Sequence, residues 1–325
     1  MPPVCYRAKS AERLKTALNN STFSFAEEEA SPWTPPKLVR SITDGFRRHR
    51  LPPPHRFEAE QLVAHALGIS LPDIYLQQER PCRKEERNRI EELCIRRLDR
   101  EPLAYILGFC EFWTLRLSVG EGVLIPRQDT ETIVEAALNL IPDKNGDAPY
   151  SILELGTGSA AIPLALATER RKLEIVATEI SPQALRYARS NLNSHREKTV
   201  AGQNTIRLVH GDRFEPIAEK PRFDLVISNP PYVADGRMEA LQSEIRRWEP
   251  REALAGGKEG LDFYRYLRNV AGRYLKSGGS LLFEHGFDQK KSIRRLFAEN
   301  ARELDFAADF QDLNKRDRVM MFKKP

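Results

Sequence analysis

The segment Asp224-Leu-Val-Ile-Ser-Asn-Pro-Pro-Tyr-Val233 joins a strand to a loop that accepts hydrogen bonds. Its first five residues are mostly apolar and β-branched, which is typical of central strands in a parallel sheet. Pro230 and Pro231 lack a backbone N–H, so the loop offers carbonyl oxygens and the Asn229 amide. A substrate NH2 group fits such a loop, and the Tyr232 ring offers a flat surface for an amide or a nucleobase. The alternative is a strand that ends in a Pro-Pro loop with a core tyrosine.

A second motif, Ser151-Ile-Leu-Glu-Leu-Gly-Thr-Gly-Ser-Ala160, runs from an apolar strand into a glycine-containing turn, with a helical stretch at 161–169. Gly156 and Gly158 let the backbone approach a ligand closely. The N-terminus of the following helix favours polar or anionic groups. The motif therefore predicts a nucleotide-binding turn, although a turn with two glycines is not specific by itself.

Two acidic residues follow the next predicted strands. The strand at 173–178 leads into Glu179, whose carboxylate can accept hydrogen bonds from both hydroxyls of a ribose. The strand at 205–209 leads to Asp212. Open α/β sheets bind ligands at the carboxyl ends of their strands. The joint spacing of Glu179 and Asp212 therefore favours a nucleotide site over unrelated loop carboxylates or helix caps.

Residues 102–323 resemble the S-adenosylmethionine-dependent methyltransferases that modify the glutamine of the Gly-Gly-Gln motif in peptide chain release factors (N5-glutamine methyltransferases). Besides the two motifs above, the resemblance rests on the segments 111–113, 124–127, 129–131, 248–250, 283–286 and 318–319. Methyltransferases that act on adenine in DNA or RNA share the Asn-Pro-Pro-Tyr tetrapeptide. Its combination with the Leu-Ile-Pro-Arg segment and the N-terminal helices favours the glutamine methyltransferases.

The resemblance implies a fold, a cofactor and a set of site residues. The implied fold is α/β: a seven-stranded Rossmann-like class I methyltransferase sheet, a small N-terminal helical bundle and a β-hairpin connector. S-adenosylmethionine is the implied cofactor. The implied catalytic residues are Asn229, Pro230 and Tyr232, and Pro231 joins them in binding the substrate. The implied cofactor contacts are Gly156, Thr157, Gly158, Ser159, Ala160, Glu179, Asp212, Arg213 and Asn229.

The implied chemistry needs positioning more than acid–base catalysis. An amide nitrogen is a poor nucleophile because its lone pair is delocalised, whereas the sulfonium of S-adenosylmethionine already activates the methyl group. Hydrogen bonds from the substrate NH2 to the Asn229 side-chain oxygen and the Pro230 carbonyl would aim the nitrogen and stabilise its developing charge. Tyr232 would pack on the amide plane. No catalytic histidine is expected, and His285 is interpreted as a loop or core residue.

Three positions depart from the family pattern. Ala160 stands where a third glycine is common, and its methyl group lies near the ligand or the helix packing. Arg213 stands where some relatives place an aromatic ring against the adenine. Gln128 replaces a common proline, with no expected consequence.

Patterns along the chain predict four segments. Residues 1–36 are interpreted as a polar tail or linker, with an organellar presequence as the alternative. Residues 37–108 form a bundle of four or five helices, which resembles the family's release-factor-docking domain; a lid or a structural extension is the alternative. Residues 109–126 form a β-hairpin connector with its pattern at 112–125, and residues 127–325 form the methyltransferase domain. The final elements are predicted as a helix at 260–275, a strand at 280–284, a helix at 288–299 and antiparallel strands at 304–310 and 318–323.

The composition is that of a two-domain soluble enzyme. The 325 residues include 51 Lys and Arg against 46 Asp and Glu, a net charge of +5. The isoelectric point of about 9.0 permits an acidic or RNA-rich partner without requiring one. No apolar run reaches the roughly 20 residues of a membrane span. The four cysteines lack paired spacing and the six histidines are scattered, so no metal site is predicted.

These observations lead to expectations about the setting of the protein. We expect a monomer in the cytoplasm, with mitochondria as the alternative compartment. A release factor is the expected protein substrate, and no stable nucleic-acid partner or membrane is expected.

Other functions are compatible with parts of the sequence. Adenine N6 methylation would use the same loop but needs a flipped base and an extended basic face. The helical segment is instead mixed in charge, as at 83–87. A non-enzymatic Rossmann-like RNA- or nucleotide-binding module would not need the intact Asn-Pro-Pro-Tyr loop. An NAD-linked dehydrogenase is disfavoured because the glycine turn lacks the full G-x-G-x-x-G spacing.

Overall fold

The computed structural model describes residues 32–142, 148–299 and 303–325. The chain divides into two compact units, Met1–Leu107 and Gly108–Pro325. Most of the predicted tail lies outside the described residues. The first described helix begins at Pro35, because a proline at this position loses no helical hydrogen bond and already has a helical φ.

The described part of the first unit contains five helices, which confirms the predicted helical bundle. They are α1 Pro35–Arg48, α2 His55–Leu67, α3 Asp73–Leu76, α4 Lys84–Leu98 and α5 Leu103–Leu107. In α2, Ala59, Leu62 and Val63 recur at helical spacing, and all three are fully buried in the core of this unit. Gly68 ends α2 with a φ of 67°, a left-handed conformation that glycine adopts without steric cost.

The second unit begins with a β-hairpin, formed by β1 Phe109–Phe112 and β2 Leu115–Ser118. The predicted extent of its pattern, 112–125, is wrong at both ends. The chain turns early, at Trp113, which has a φ of 57°. The segment after Ser118 packs against a later helix: a Cβ at Gly122 would lie 2.7 Å from the Gln183 side chain, so the close approach there requires glycine.

A mixed sheet of seven strands forms the centre of the second unit. Its strands are β3 Tyr150–Leu155, β4 Leu173–Glu179, β5 Thr205–His210, β6 Phe223–Ser228, β7 Leu275–Glu284, β8 Asp305–Gln311 and β9 Asp317–Lys323. Their spatial order is β5-β4-β3-β6-β7-β9-β8. Strands β3 to β7 are parallel, and β9 is antiparallel to both of its neighbours. This is the predicted seven-stranded class I methyltransferase sheet.

Helices cover both faces of the sheet. They are α6 Glu131–Leu140, α7 Ala161–Glu169, α8 Pro182–Ser194, α9 Arg196–Ala201, α10 Ser243–Trp248, α11 Asp262–Val270 and α12 Lys290–Ala298. Successive residues of β6 enter two different cores, with Leu225 and Ile227 in one and Val226 in the other. A strand buried on both faces has no need of polar alternation, which explains the apolar run in the sequence.

Two C-terminal elements differ from the predicted bounds. β7 starts five residues before the predicted strand, because the strand also includes Gly278 and Gly279. Gly278 has a φ of 75°, and the pairing of β6 with β7 shifts register nearby. The helix predicted at 260–275 is shorter and ends at Val270, where a 3-10 turn, Ala271–Arg273, follows.

The strand order creates a crevice at one edge of the sheet. From β3 the chain proceeds to β4 and β5 on one side, and it then returns to place β6 on the other side of β3. The ends of β3 and β6 are in register, with Leu155 paired to Ser228. The loops that follow these two strands therefore diverge from a switch point, where open α/β sheets bind ligands.

No helix within the described ranges is both long and apolar enough to cross a bilayer. Within the same ranges, no group of three or more His, Cys, Asp and Glu side chains could hold a metal ion. Burial raises the pKa of Cys82 to about 11 and that of Cys110 to about 12, so both remain thiols near neutral pH.

Candidate active site

The glycine turn after β3 forms one wall of the crevice. Gly156 and Gly158 have φ values of 71° and 57°, which are strained for other residues. The backbone N–H groups of Gly156 and Thr157 donate to the Thr178 carbonyl at 2.9 and 3.0 Å, which fastens the turn to β4. A Cβ on Gly156 would meet nothing within 4 Å, so the space beside it is open to a ligand.

A buried acid lies beneath this turn. Glu154, in β3, is 2% exposed, and burial raises its pKa to about 8, while the neighbouring Thr157 side chain opposes that shift in part. Neither Glu154 Oε2 nor Thr157 Oγ1 has a hydrogen-bond partner of ordinary length among the described residues. Buried polar atoms are usually satisfied, so this pair fits a ligand that brings donors or positive charge.

Glu179, at the end of β4, is fixed by two backbone donors. Its Oε2 accepts from the Gly158 N–H at 2.8 Å, and its Oε1 accepts from the Ser181 N–H at 2.8 Å. A carboxylate offers about four acceptor sites, so two remain for further donors such as ribose hydroxyls. Glu179 and the glycine turn thus form one connected wall, as the strand-end spacing predicts.

Ala160 is the residue that departs from the glycine pattern, and its methyl group faces the protein core. Its side chain is fully buried among apolar residues, and its φ is 64°. The cost of alanine at this position is therefore backbone strain of about 1 kcal/mol, and not an obstruction of the ligand.

Asn191 of α8 stabilises the same turn, and sequence reasoning missed it. It is fully buried, and its Nδ2 donates to the carbonyls of Ser159 and Ser118 at 2.9 and 3.1 Å. Its Oδ1 accepts from the Ser118 N–H at 2.7 Å. One amide side chain therefore connects the hairpin, α8 and the glycine turn.

Asp212 and Arg213 follow β5 and interact with each other. Arg213 Nε donates to Asp212 Oδ1 at 2.8 Å, and a second bond joins Arg213 Nη2 to Asp212 Oδ2. The guanidinium also lies 4.1 Å from the centre of the Tyr266 ring. The Gly211 N–H donates to the Glu179 carbonyl at 3.0 Å, so Asp212 adjoins the Glu179 wall. The planar Arg213 group stands near the position that the resemblance assigns to an aromatic ring.

The loop after β6 forms the opposite wall. Asn229 is partly exposed and Pro230 is buried. Asn229 Nδ2 donates to Thr130 Oγ1 at 3.0 Å, which leaves Asn229 Oδ1 as a free acceptor. No residue that the structure describes donates to Asn229 Oδ1 or to the Pro230 carbonyl. Both oxygens are therefore unpaired acceptors among the described residues, and their use by a substrate NH2 group stays a prediction.

Tyr232 is held by hydrogen bonds at its side-chain hydroxyl and at its backbone carbonyl. Its hydroxyl donates to Glu284 Oε1 at 3.2 Å, and its carbonyl accepts from Gln289 Nε2 at 3.0 Å. Burial raises the pKa of the Tyr232 hydroxyl well above its usual value, so it remains protonated. Its ring also packs against the apolar core, so only part of it is accessible to a substrate.

The segment from Glu249 to Gly257 supports the same loop. Glu249 is buried, forms an ion pair with Arg127 and accepts from the Ile125 N–H at 3.3 Å. The Val233 N–H donates to the Leu254 carbonyl, and the Gly256 N–H donates to the Val233 carbonyl, both at 2.9 Å. A Cβ on Gly256 would lie 2.7 Å from the Pro231 carbonyl, so glycine is required there.

The structure shows which functional residues the sequence misses. Thr130 and Glu284 lie in segments that carry the resemblance, but nothing in their spacing assigns them a role. Glu154 has a detectable signal, an acid inside an otherwise apolar strand. His285 is fully buried, and burial lowers its pKa, so it stays neutral as expected for a core histidine.

Comparison with known proteins places both units in one family. Residues 38–108 match the PrmC N-terminal domain, and residues 136–247 match the methyltransferase small domain. A solved protein-(glutamine-N5) methyltransferase (release factor-specific) from Alicyclobacillus acidocaldarius subsp. acidocaldarius DSM 446 aligns with a TM-score of 0.37 at 23% identity, over 64% of this chain and 98% of that chain.

Sequence relatives align with most of the chain. The release factor glutamine methyltransferase of Geobacter sulfurreducens is 39% identical over 90% of this chain and 98% of its own length. The protein of that name from Fusobacterium nucleatum is 30% identical over 98% of this chain and 86% of its own length. The protein of that name from Xylella fastidiosa strain 9a5c is 37% identical over 83% of this chain and 94% of its own length. The chain therefore belongs to the release factor glutamine methyltransferase family.

Proposed function

We propose that the chain transfers a methyl group from S-adenosylmethionine to the side-chain amide nitrogen (N5) of the glutamine in the Gly-Gly-Gln motif of a peptide chain release factor. The observation that carries the proposal is the pair of free acceptors at the switch point, Asn229 Oδ1 and the Pro230 carbonyl. An NH2 group has two hydrogens, and one can be donated to each acceptor.

The described residues act mainly by positioning the substrate nitrogen. Two hydrogen bonds fix the NH2 group and stabilise the positive charge that develops on it during transfer. Thr130 holds the Asn229 amide in the orientation that presents its oxygen. Tyr232 supplies part of its ring to the amide plane. The nitrogen becomes strongly acidic once methylated, so no strong general base is required.

The wall formed by the glycine turn and Glu179 fits S-adenosylmethionine, which supplies a methyl group already activated by its sulfonium. The ribose hydroxyls can donate to Glu179, whose orientation is set by Gly158 and Ser181. Glu154 and Thr157 offer unsatisfied buried atoms to the cationic amino acid end. The other proposed contacts are Gly156, Gly158, Ser159, Ala160, Asp212, Arg213 and Asn229.

The first unit, whose described part is the helical bundle, is assigned to recognition of the protein substrate. This assignment is supported by the match of residues 38–108 to a domain of the family and by the compactness of that unit. We further expect a monomer that acts in the cytoplasm, without a stable nucleic-acid partner.

The direct test compares substrate classes side by side. Purified protein with labelled S-adenosylmethionine is offered an intact release factor and, separately, adenine-containing DNA and RNA. We expect label in the factor alone, and none in a factor whose Gly-Gly-Gln glutamine is replaced by alanine. Label in adenine with an unmodified factor would instead establish the nucleic-acid alternative.

A further inference from the structure

A buried carboxylate at the end of β7 contacts the substrate-binding loop. Glu284 is 1% exposed, and its Oε1 accepts the Tyr232 hydroxyl at 3.2 Å. Its Oε2 has no hydrogen-bond partner of ordinary length among the described residues. Burying a carboxylate this deeply is costly unless the group is paired and hydrogen-bonded, and Glu284 is only partly so.

Thr130 connects this carboxylate to Asn229. The Thr130 side chain lies close to Glu284 and favours its ionised form, which opposes part of the burial effect on its pKa. Thr130 Oγ1 accepts from Asn229 Nδ2, so its own hydrogen is free for the carboxylate. Asn229 therefore donates to Thr130, and the Thr130 hydroxyl hydrogen remains available to the nearby Glu284 carboxylate. A flipped Asn229 amide would place Oδ1 beside Thr130 Oγ1 and draw the single Thr130 hydrogen away from Glu284.

We infer that Glu284 is a positioning residue for methyl transfer, which orients Asn229 through Thr130 and the Tyr232 ring through its hydroxyl. The inference rests on the proposed function, since it assigns the two substrate acceptors to the loop after β6. Glu284 does not touch the substrate. Its carboxylate determines which way the Asn229 amide points and where the Tyr232 ring lies.

The charge of Glu284 should therefore control turnover. Burial raises the pKa of Glu284 to about 7, against the opposing effects of Thr130, Arg318 and Tyr232. Asp129 adds a smaller repulsion. Arg318 Nη2 lies 2.8 Å from Asp129 and 3.2 Å from Asp312, so its charge is shared.

Two other groups face the Glu284 backbone. Tyr264 of α11 donates to the Glu284 carbonyl at 3.0 Å, and burial raises the pKa of its hydroxyl well above the usual value. His285 stays neutral. Glu284 is thus the group in this cluster whose charge changes near neutral pH, and kcat should fall as pH drops below about 7.

The test measures kcat, both KM values and the cofactor Kd across pH. Glu284→Gln should lower kcat by about 10- to 100-fold, the scale expected when reacting groups are slightly misplaced. The variant should also lose the fall of kcat below about pH 7, and its cofactor Kd should be unchanged. The matched control is Glu174→Gln, at an exposed position of β4, which should keep the parent profile.

A second pair of variants tests the link through Thr130. Thr130→Val removes the hydroxyl and should lower kcat by about 10-fold or more, whereas Thr130→Ser should restore most of the rate. Thr168→Val is the matched control, because among the described residues the Thr168 hydroxyl binds only the Ala165 carbonyl of its own helix. The Thr130 pair also decides the matter if Glu284→Gln does not fold.

The outcomes separate this inference from the proposed function. A parent protein that fails to label the release factor refutes the proposed function. A parent that labels the factor, with Glu284→Gln or Thr130→Val equal to it in kcat and pH profile, overturns the positioning role alone. A pH limb confined to cofactor binding would instead reflect Glu154, which lies in the cofactor wall.

Discussion

Replacing Glu154 with Gln should remove a large part of the pH dependence of stability in the second unit. The pKa of Glu154 is about 8 in the folded chain, against a usual value of 4.5. Because the folded pKa is raised, the folded state keeps a proton that the unfolded chain releases. The resulting stabilisation is complete below the unfolded pKa and is lost as pH rises through the folded pKa. Between about pH 5.5 and about pH 8.5 this group alone should change the free energy of unfolding by about 3 kcal/mol.

The assay is urea unfolding of the cofactor-free protein at those two pH values. The chain has three tryptophans, and in a Trp33→Phe background the remaining two, Trp113 and Trp248, both lie in the second unit and report its unfolding. In Glu154→Gln, the difference in the free energy of unfolding between the two pH values should be smaller than in the parent by about 3 kcal/mol. The part due to Glu284, whose pKa is also raised, should remain. Glu174→Gln is the control; an equal pH difference in parent and Glu154→Gln would refute the burial argument.

Three further predictions concern the cofactor wall and the first unit. Glu179→Ala should weaken S-adenosylmethionine by about 1.5 to 3 kcal/mol in titration calorimetry, the scale of hydrogen bonds to a charged acceptor, and unchanged affinity would exclude a ribose contact. Asn191→Ala should lower the free energy of unfolding by about 2 to 4 kcal/mol, because it leaves Ser118 and Ser159 groups unpaired; a loss below about 1 kcal/mol would contradict this. Residues 108–325 alone should keep the parent cofactor affinity but lose activity on intact release factor, and full activity there would reduce the first unit to a structural extension.

The parts of the fold that could be predicted are those in which local pattern and packing agree. The apolar strand before Asn229 and the glycine turn at Gly156 follow from β-branched content and turn chemistry, and the structure places both at one edge of the sheet. The bounds of the hairpin and of β7 could not be predicted. In β7, Gly278 lies within a strand only because β6 and β9 pair around it.

The site shows the same division. Residues next to a strand end, such as Glu179 and Asn229, can be found because the sheet fixes where strand ends meet. Thr130 and Asn191 act through contacts with residues that are 99 and 73 positions away in sequence. No local pattern records such pairs, since they depend on tertiary packing. The direction of the Ala160 side chain likewise becomes known only from its burial in the folded chain.

The most direct test of the central claim is mass spectrometry of the release factor after reaction with the parent protein, Asn229→Ala or Asn139→Ala. Asn139 is an exposed residue of α6 and serves as the matched control. We predict a single methyl group on the Gly-Gly-Gln glutamine amide with the parent and with Asn139→Ala. Asn229→Ala should react roughly 10²- to 10³-fold more slowly, with a nearly unchanged cofactor Kd. Methylation at another residue, or an Asn229→Ala protein as fast as the parent, would contradict the account.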